Sequence, residues 1–559
     1  MYIKKMLDNI KSLKILNLVL VFLEKGKKLN LLKYNKRMQV KLDIGIIDIK
    51  NYIAKKYELL KELNEECELD IKDFEITILN LSHKRRINDI VEALNKFKFK
   101  EMKELNISSN YLEIDNLVKS KLEKLEILNL NDNYISDINI FKEMHFRALK
   151  CLYLSKNKIS NLNGLDKVKF LKLEKLDLSH NNISDIKILE KVDFKELKEI
   201  SLDFNKILDI KVLEKANFKN LEKLNLGNNN IIDINILEKV DFKELKELYL
   251  NSNEITDIRV LEKVKFEKLE VLNLKDNKII NYDLLSFLNF AFLKKLDLKF
   301  KKHSDINSIG KIKLKELKEF NLYINDISDI SLIENFNFEN LEILDLSKIY
   351  YLSDINFLEK INFKELKELY FYKNSIANIK IFEKIKLEKL EILNIGENFI
   401  SDINILAKVN FPKLKELYLY SNQISNIKVL EEVKFAKLEV LDLSKNKISI
   451  IDSFNGAKFE VLTKLYLSMN EISDSYVLGK FYKLEILYLD NNNISDIEYL
   501  RNLEELKELY LLNNQISDIK VLTKIKGLKV LNIEFNNIRE EENYYIINQL
   551  KSKIPDFSI

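Results

Sequence analysis

An asparagine recurs along this chain at nearly constant intervals. It stands at Asn110, Asn133, Asn157, Asn181, Asn205, Asn229, Asn253 and Asn277. It resumes at Asn325 and continues at Asn374, Asn398, Asn422, Asn446, Asn470, Asn492, Asn514 and Asn536. Each closes the same phrase, L-x-x-L-x-L-x-x-N, as in Leu176-Asp177-Leu178-Ser179-His180-Asn181. Nearly every step is 24 residues and the last three are 22. A self-similar period of this length means a solenoid with one structural unit per coil. No coil can bury its own apolar face, so the 559 residues are expected to form mostly one elongated array with capped ends rather than several globular domains.

One coil, read from Leu245, assigns a role to each position. Leu248-Tyr249-Leu250 alternates apolar and polar, the pattern of a short strand with one buried face. Asn253 follows at the bend. Its amide can donate to backbone carbonyls while its oxygen accepts one N–H, so stacked coils leave no orphaned polar groups. Ile255, Ile258, Leu261 and Val264 then return the chain at helix-like spacing along the outer side. A phenylalanine row runs through Phe146, Phe170, Phe194, Phe218, Phe242, Phe266, Phe290, Phe338, Phe363, Phe411, Phe435 and Phe459, and is expected to stop where the coils shorten. It predicts a stacked aromatic spine in the outer layer. The Ser-Asp-Ile phrase (Ser184-Asp185-Ile186, Ser495-Asp496-Ile497) recurs too often to be catalytic and reads as turn chemistry.

This repeat resembles the leucine-rich repeat family over about residues 76–540, some nineteen coils. The 22-residue coils, such as 506–527, are similar to the class found in internalins and in a phosphatase-regulating nuclear protein. The resemblance implies an α/β solenoid: a curved right-handed horseshoe, a parallel sheet on its concave face, and short helices or 3-10 turns outside. Strands about 4.8 Å apart give an inner surface of roughly 90 Å. It also implies a protein-binding scaffold rather than an enzyme. The repeat array is expected over 73–538. A C-terminal cap at 539–559 would carry a helix using Tyr544, Tyr545, Ile546, Ile547 and Leu550 to shield the last coil.

Strand alternation puts three side chains per coil on the inner face. The first holds Glu in many coils (Glu199, Glu247, Glu319, Glu368, Glu416, Glu508) and Ile or Val in others (Ile127, Val271, Ile343, Ile392, Val440, Ile486, Val530). The residue before it alternates charge, as in Lys367, Glu391, Lys415 and Glu439, which predicts lateral ion pairs between coils. The middle position is Asn or Asp in many coils but tyrosine in others. Tyr249, Tyr370, Tyr418, Tyr466, Tyr488 and Tyr510 hold it, and Tyr372 and Tyr420 lie two residues further on. Tyrosine offers a large ring and a hydroxyl at small entropy cost. These eight residues form the candidate partner site. The same pattern also suits strand propensity copied by duplication. Two coils break the ladder, one at Lys301-Lys302-His303 and one at Ile349-Tyr350-Tyr351.

Residues 1–72 do not repeat and are expected to be a helical region covering the first coil. Within them, residues 18–42 resemble the core of an F-box through Phe22-Leu23, Leu29, Leu32, Tyr34 and Lys36-Arg37-Met38. The usual Leu-Pro opening is missing and Met38 stands for the expected aromatic. That resemblance implies docking on the adaptor of a cullin-type ubiquitin ligase, with the repeats selecting substrate. The apolar run at 15–23 is too short to span a bilayer, which needs about 20 residues. Basic Lys25, Lys27 and Lys28 follow it where a signal peptide would have small residues.

Charge excludes some partners. With 92 basic and 88 acidic residues, a net +4 is too weak to imply nucleic acid or anionic lipid. Cys67 and Cys151 cannot build a disulfide framework, which fits a reducing compartment, the cytoplasm or alternatively the nucleus. His83, His145, His180 and His303 share no metal-ligand spacing, and no catalytic or cofactor-binding motif is present, so no cofactor or metal is expected. Three readings follow. One is a scaffold binding a protein on its concave face. The others are an F-box-type substrate receptor and a secreted, internalin-like surface adhesin.

Overall fold

The computed structural model describes residues 77–82, 101–111, 122–143, 146–168, 170–282, 290–300, 316–324, 330, 333–334 and 339–559. The F-box-like segment, Lys301-Lys302-His303, Asn325 and Phe338 lie outside them. The chain divides into two compact units, residues 1–159 with 163–173, and residues 160–162 with 174–559. In the first, the strands Ile78–Asn80, Glu104–Asn106, Ile127–Asn129 and Cys151–Tyr153 pair in parallel, residue for residue. In the second, parallel pairing runs in sequence order from Lys175–Asp177 to Val530–Asn532. Most strands are three residues long; Lys295–Phe300 and Glu319–Ile324 have six. In most strands the central Leu, Ile or Phe is buried and the residues flanking it are half-buried.

Strands stay short because the chain turns at the asparagine. Asn229 Nδ2 donates to the carbonyls of Leu202, Leu226 and Gly227 at 2.9, 3.1 and 3.0 Å, and its Oδ1 accepts from Ile207 N at 3.0 Å. Asn398 repeats this with Phe371, Ile395, Gly396 and Ile376. Each amide thus ties one coil to the previous one while closing its own bend. The residue before it is left-handed, as at His180 (φ 51°), Ser252 (φ 53°), Lys373 (φ 59°) and Ser421 (φ 52°). That conformation costs an L-residue roughly 1–2 kcal/mol, which the fixed carbonyls of the ladder offset. The irregular coil replaces the amide with Ile349, fully buried, whose own N–H donates to Asn374 Oδ1 at 2.7 Å.

The outer side is made of 3-10 turns such as Lys187–Glu190 and Lys211–Glu214. The aspartate of the Ser-Asp-Ile phrase starts them: Asp185 Oδ1 accepts from Lys187 N at 2.8 Å, and Asp496 from Glu498 N at 2.9 Å. Beneath them the described members of the phenylalanine row are buried. The row does not end at Phe459. Phe481 continues it, its ring centroid 6.4 Å from that of Phe459, although the coil between them has already shortened. An aromatic ring still fits there because the two residues are lost elsewhere in the coil.

An α-helix, Glu540–Lys553, closes the C-terminal end. Asn543, Ile547 and Leu550 face inward, whereas Tyr544 and Tyr545 are exposed, against the expectation that both would shield the last coil. Helical periodicity explains this, since Asn543, Ile547 and Leu550 lie on one face and the tyrosines on the other. Beyond the helix, Asp556–Ser558 adds a further parallel strand beside Val530–Asn532.

Candidate functional site

The sheet has one face turned into the core and one free of it. The free face carries the non-leucine residues of each strand. Register fixes its middle row in the second unit. From residue 345 the order is Asp345, Tyr370, Asn394, Tyr418, Asp442, Tyr466, Tyr488, Tyr510, Asn532. Tyr249 stands apart between Asn225 and Asn273. All eight candidate tyrosines are half-buried. The structure therefore groups Tyr370, Tyr372, Tyr418, Tyr420, Tyr466, Tyr488 and Tyr510 on neighbouring strands and leaves Tyr249 remote from them.

The middle row holds two kinds of residue with separate work. Most Asn and Asp are wired to their own backbone: Asn394 Oδ1 accepts from Gly396 N at 3.0 Å, Asp442 from Ser444 N at 2.9 Å, and Asp177 from Ser179 N at 3.0 Å. These side chains shape the strand end, whereas Asn321 donates to the Asp297 and Glu319 side chains. The tyrosines instead reach other side chains. The hydroxyls of Tyr249, Tyr370 and Tyr418 donate to Glu247, Glu368 and Glu416 at 2.9, 2.8 and 2.7 Å, each glutamate lying two residues earlier on the same strand. Tyr488 stacks on Tyr510 with centroids 4.0 Å apart, and Tyr466 lies 5.0 Å from Tyr488. Tyr372 and Tyr420 meet at 6.2 Å. Gly396, two residues past the end of the intervening strand Ile392–Asn394, makes that meeting fit: a Cβ there would lie 2.4 Å from the Tyr420 ring.

Burial, reinforced by the glutamate acceptors, pushes the Tyr249, Tyr370 and Tyr418 hydroxyls well above the ordinary phenol range. Burial pushes Tyr420 up to about 12. The hydrogen bond with Tyr488, followed by burial, raises Tyr510. All these hydroxyls therefore stay protonated donors at neutral pH. The lateral row pairs as its sequence predicts: Lys415 Nζ lies 2.5 Å from Glu391 and Lys367 Nζ 2.6 Å from Glu342. Its holders are Lys415 and Lys367, raised mainly by those glutamate hydrogen bonds.

Sequence reasoning missed the tyrosine–glutamate hydrogen bonds, although the Glu-Leu-Tyr phrase at 247, 368, 416 and 508 is their signature. It also missed the Gly396 cradle. His180 is exposed, and its ring stacks on Phe204 at 4.0 Å. Among the described residues no cluster of His, Cys, Asp and Glu could hold a metal ion. Among them no helix is long and apolar enough to cross a membrane.

Comparison with known proteins agrees with this architecture. The family model described as "Leucine Rich repeats (2 copies)" matches residues 171–215, 219–263, 412–456 and 460–502, and "Leucine rich repeat" matches 123–183. The TLR13–ssRNA13 complex has a TM-score of 0.57 at 23% identity, covering 79% of this chain and 68% of that one. A leucine-rich repeat protein of Leptospira interrogans has a TM-score of 0.49 at 25% identity, covering 74% and 95%. An internalin of Listeria monocytogenes has 0.38 at 25% identity, covering 65% and 87%. No curated protein matches the sequence. The matched residues are leucine-rich repeats, and the parallel sheet is that of a solenoid of such repeats, a scaffold class that generally mediates protein–protein interaction.

Proposed function

We propose that this protein binds a protein partner on the free face of the sheet, the inner face of the solenoid, through the tyrosine-bearing strands from Glu368–Tyr370 to Glu508–Tyr510. The observation that carries the reading is the division of the middle row. From Asp345 to Asn532 the Asn and Asp of the row finish their strands, each accepting from the N–H two residues on; where tyrosine stands, nothing in the backbone requires it. Half-buried rings with fixed hydroxyls are pre-organised, so little side-chain entropy is lost on binding. A broad row without a closed pocket suits a macromolecule better than a small ligand. Tyr249, remote from the rest, contributes least.

Two cysteines in 559 residues support a reducing compartment, and we place the protein in the cytoplasm on that basis. The adaptor-binding reading of residues 18–42 stands on its sequence resemblance alone. The test is quantitative capture of partner from source-cell lysate. Tyr418→Ala with Tyr466→Ala should weaken capture by about a hundredfold or more, with circular dichroism unchanged. Asn129 and Asp177 are unsuitable controls because both hold their own strand ends; the control is Ser201→Ala in the same row, whose hydroxyl donates to the Asp203 carboxylate. Equal loss from Ser201→Ala would refute the assignment.

A further inference from the structure

One tyrosine–glutamate pair in this protein already holds a cation, and the cation is its own. Lys223 lies beside Glu247 in register. Its Nζ is 2.6 Å from the Glu247 carboxylate and 5.0 Å from the centroid of the Tyr249 ring. The hydroxyl of that ring also donates to Glu247. Ring face and carboxylate together form a seat for a positive group, held by an ion pair and a cation–π contact.

The same pair recurs at Glu368–Tyr370 and Glu416–Tyr418 with matching hydroxyl bonds of 2.8 and 2.7 Å. What differs is the neighbour. Ile343 and Ile392 flank Glu368 in register, and Ile392 and Val440 flank Glu416. The place that Lys223 takes beside Glu247 is apolar at both. Here the carboxylate and ring are built as in the filled seat, but no lysine of the row supplies the charge.

We propose that these two seats receive the arginine or lysine side chains of a basic, extended segment of the partner protein. This rests on the reading of the tyrosine face as a protein-binding surface and names the chemistry of its partner. Charge complementarity is the argument for this occupant: each seat offers one carboxylate, and the protein's own chain shows that a cation fills such a seat. The strands bearing the seats are separated by one strand, Ile392–Asn394, so the seats lie about 10 Å apart. A polyproline-like extended segment has three residues per turn and rises about 3.1 Å per residue, so basic residues at i and i+3 share one face and match that spacing. Ile343, Ile392 and Val440 provide apolar surface for the aliphatic stems of such side chains.

The test uses the full chain and fluorescence anisotropy of a labelled alanine-based peptide carrying arginine at every third position. Wild type should bind it saturably, with affinity falling as salt rises. Ile343→Lys with Ile392→Lys would supply resident lysines as Lys223 does, and should weaken binding at least about tenfold without removing a tyrosine or a glutamate. Glu368→Gln with Glu416→Gln keeps an acceptor for each hydroxyl and should do the same. Glu247→Gln, at the filled seat, should leave binding within about twofold. The proposal is overturned if wild type does not bind the peptide, if either double variant binds it as wild type does, or if Glu247→Gln costs as much as they do. A protein that captures its partner through Tyr418 and Tyr466 yet ignores the peptide would overturn only the cationic chemistry. Loss of the tyrosine dependence itself would overturn the underlying site.

Discussion

The strands from Lys175–Asp177 to Glu247–Tyr249 and those from Ile343–Asp345 to Val440–Asp442 share one scaffold and differ on one face. In both, buried leucines fill the strand centre, the ladder amides tie successive coils and phenylalanines pack beneath the outer turns. In both, a lateral row of Lys–Glu pairs runs beside the strands, as at Lys198–Glu174 and Lys415–Glu391. In the first position of the strand, the earlier region alternates lysine with glutamate, giving Lys175–Glu199 at 2.5 Å and Lys223–Glu247 at 2.6 Å. The later region alternates isoleucine or valine with glutamate. The glutamate is constant and its neighbour changes. The scaffold therefore tolerates either neighbour, and the free face can be rewritten without disturbing what holds the coils together.

The largest effects should ignore this difference. Asn229→Leu in the earlier region and Asn398→Leu in the later one each remove three donated bonds and strand one buried N–H, of Ile207 and Ile376 respectively. Each should cost on the order of 1–3 kcal/mol. Urea unfolding should show similar losses for both; a wild-type midpoint for either would break the claim that the ladder is common to the two regions.

A smaller effect should follow the difference closely. Lys223→Ile converts the earlier region locally to the later pattern. The pair it breaks is about one-third exposed on each side, so stability should change by less than about 1 kcal/mol. The emptied seat should raise affinity for the arginine peptide by roughly two- to fivefold, since a surface cation–π contact adds about 0.5–1 kcal/mol. No gain in anisotropy titrations would show that the neighbour in the first position does not govern the seat.

What was readable before the structure follows the same division. The period, the strand and the amide ladder were legible because each repeats and each obeys one local rule. The lateral charge pairs were legible because parallel stacking brings residues 24 apart side by side. The left-handed residue before each ladder amide was not, because Lys, Ser, Phe and Glu occupy it as readily as glycine would; the conformation is imposed by the ladder and leaves no residue signature. The tyrosines were legible as a row, but their pairing with glutamate depends on which side chains face each other two residues apart. The room made by Gly396 depends on a neighbouring coil. Phe481 escaped notice for a similar reason: its role is set by the rings it packs against, Phe454 and Phe459.

Removing the left-handed strain should help slightly in both regions. Ser252→Gly and Ser421→Gly each relieve an unfavourable φ but add freedom to the unfolded chain, so each should stabilise by no more than about 1 kcal/mol. Thermal melts showing a loss at either position would mean that the serine side chain, not the backbone, matters there.

The subtlest comparison lies within the later region, between neighbouring middle-row residues. Asn394 and Asp442 make the same bond to the N–H two residues on. Only Asp442 must carry a charge at neutral pH. Burial pushes its carboxyl above the ordinary aspartate value, an effect partly opposed by the bonds from Ser444. Its folded pKa therefore exceeds its unfolded one, so the folded state binds the proton more readily. Stability from this group is greatest below the unfolded pKa and declines as pH rises through the folded pKa. Asp442→Asn keeps the acceptor and removes the charge, so it should raise the melting temperature at pH 8, with the gain fading toward pH 4 and below. Glu391 supplies the opposite sign. The hydrogen bond from Lys415 holds its carboxyl below the usual range, so its contribution is present above the unfolded pKa and lost as pH falls through the folded one. Glu391→Gln should therefore lower the melting temperature slightly at neutral pH and leave it unchanged in acid. If both variants shift melting in the same direction across that range, burial of Asp442 does not distinguish the middle row from the lateral one.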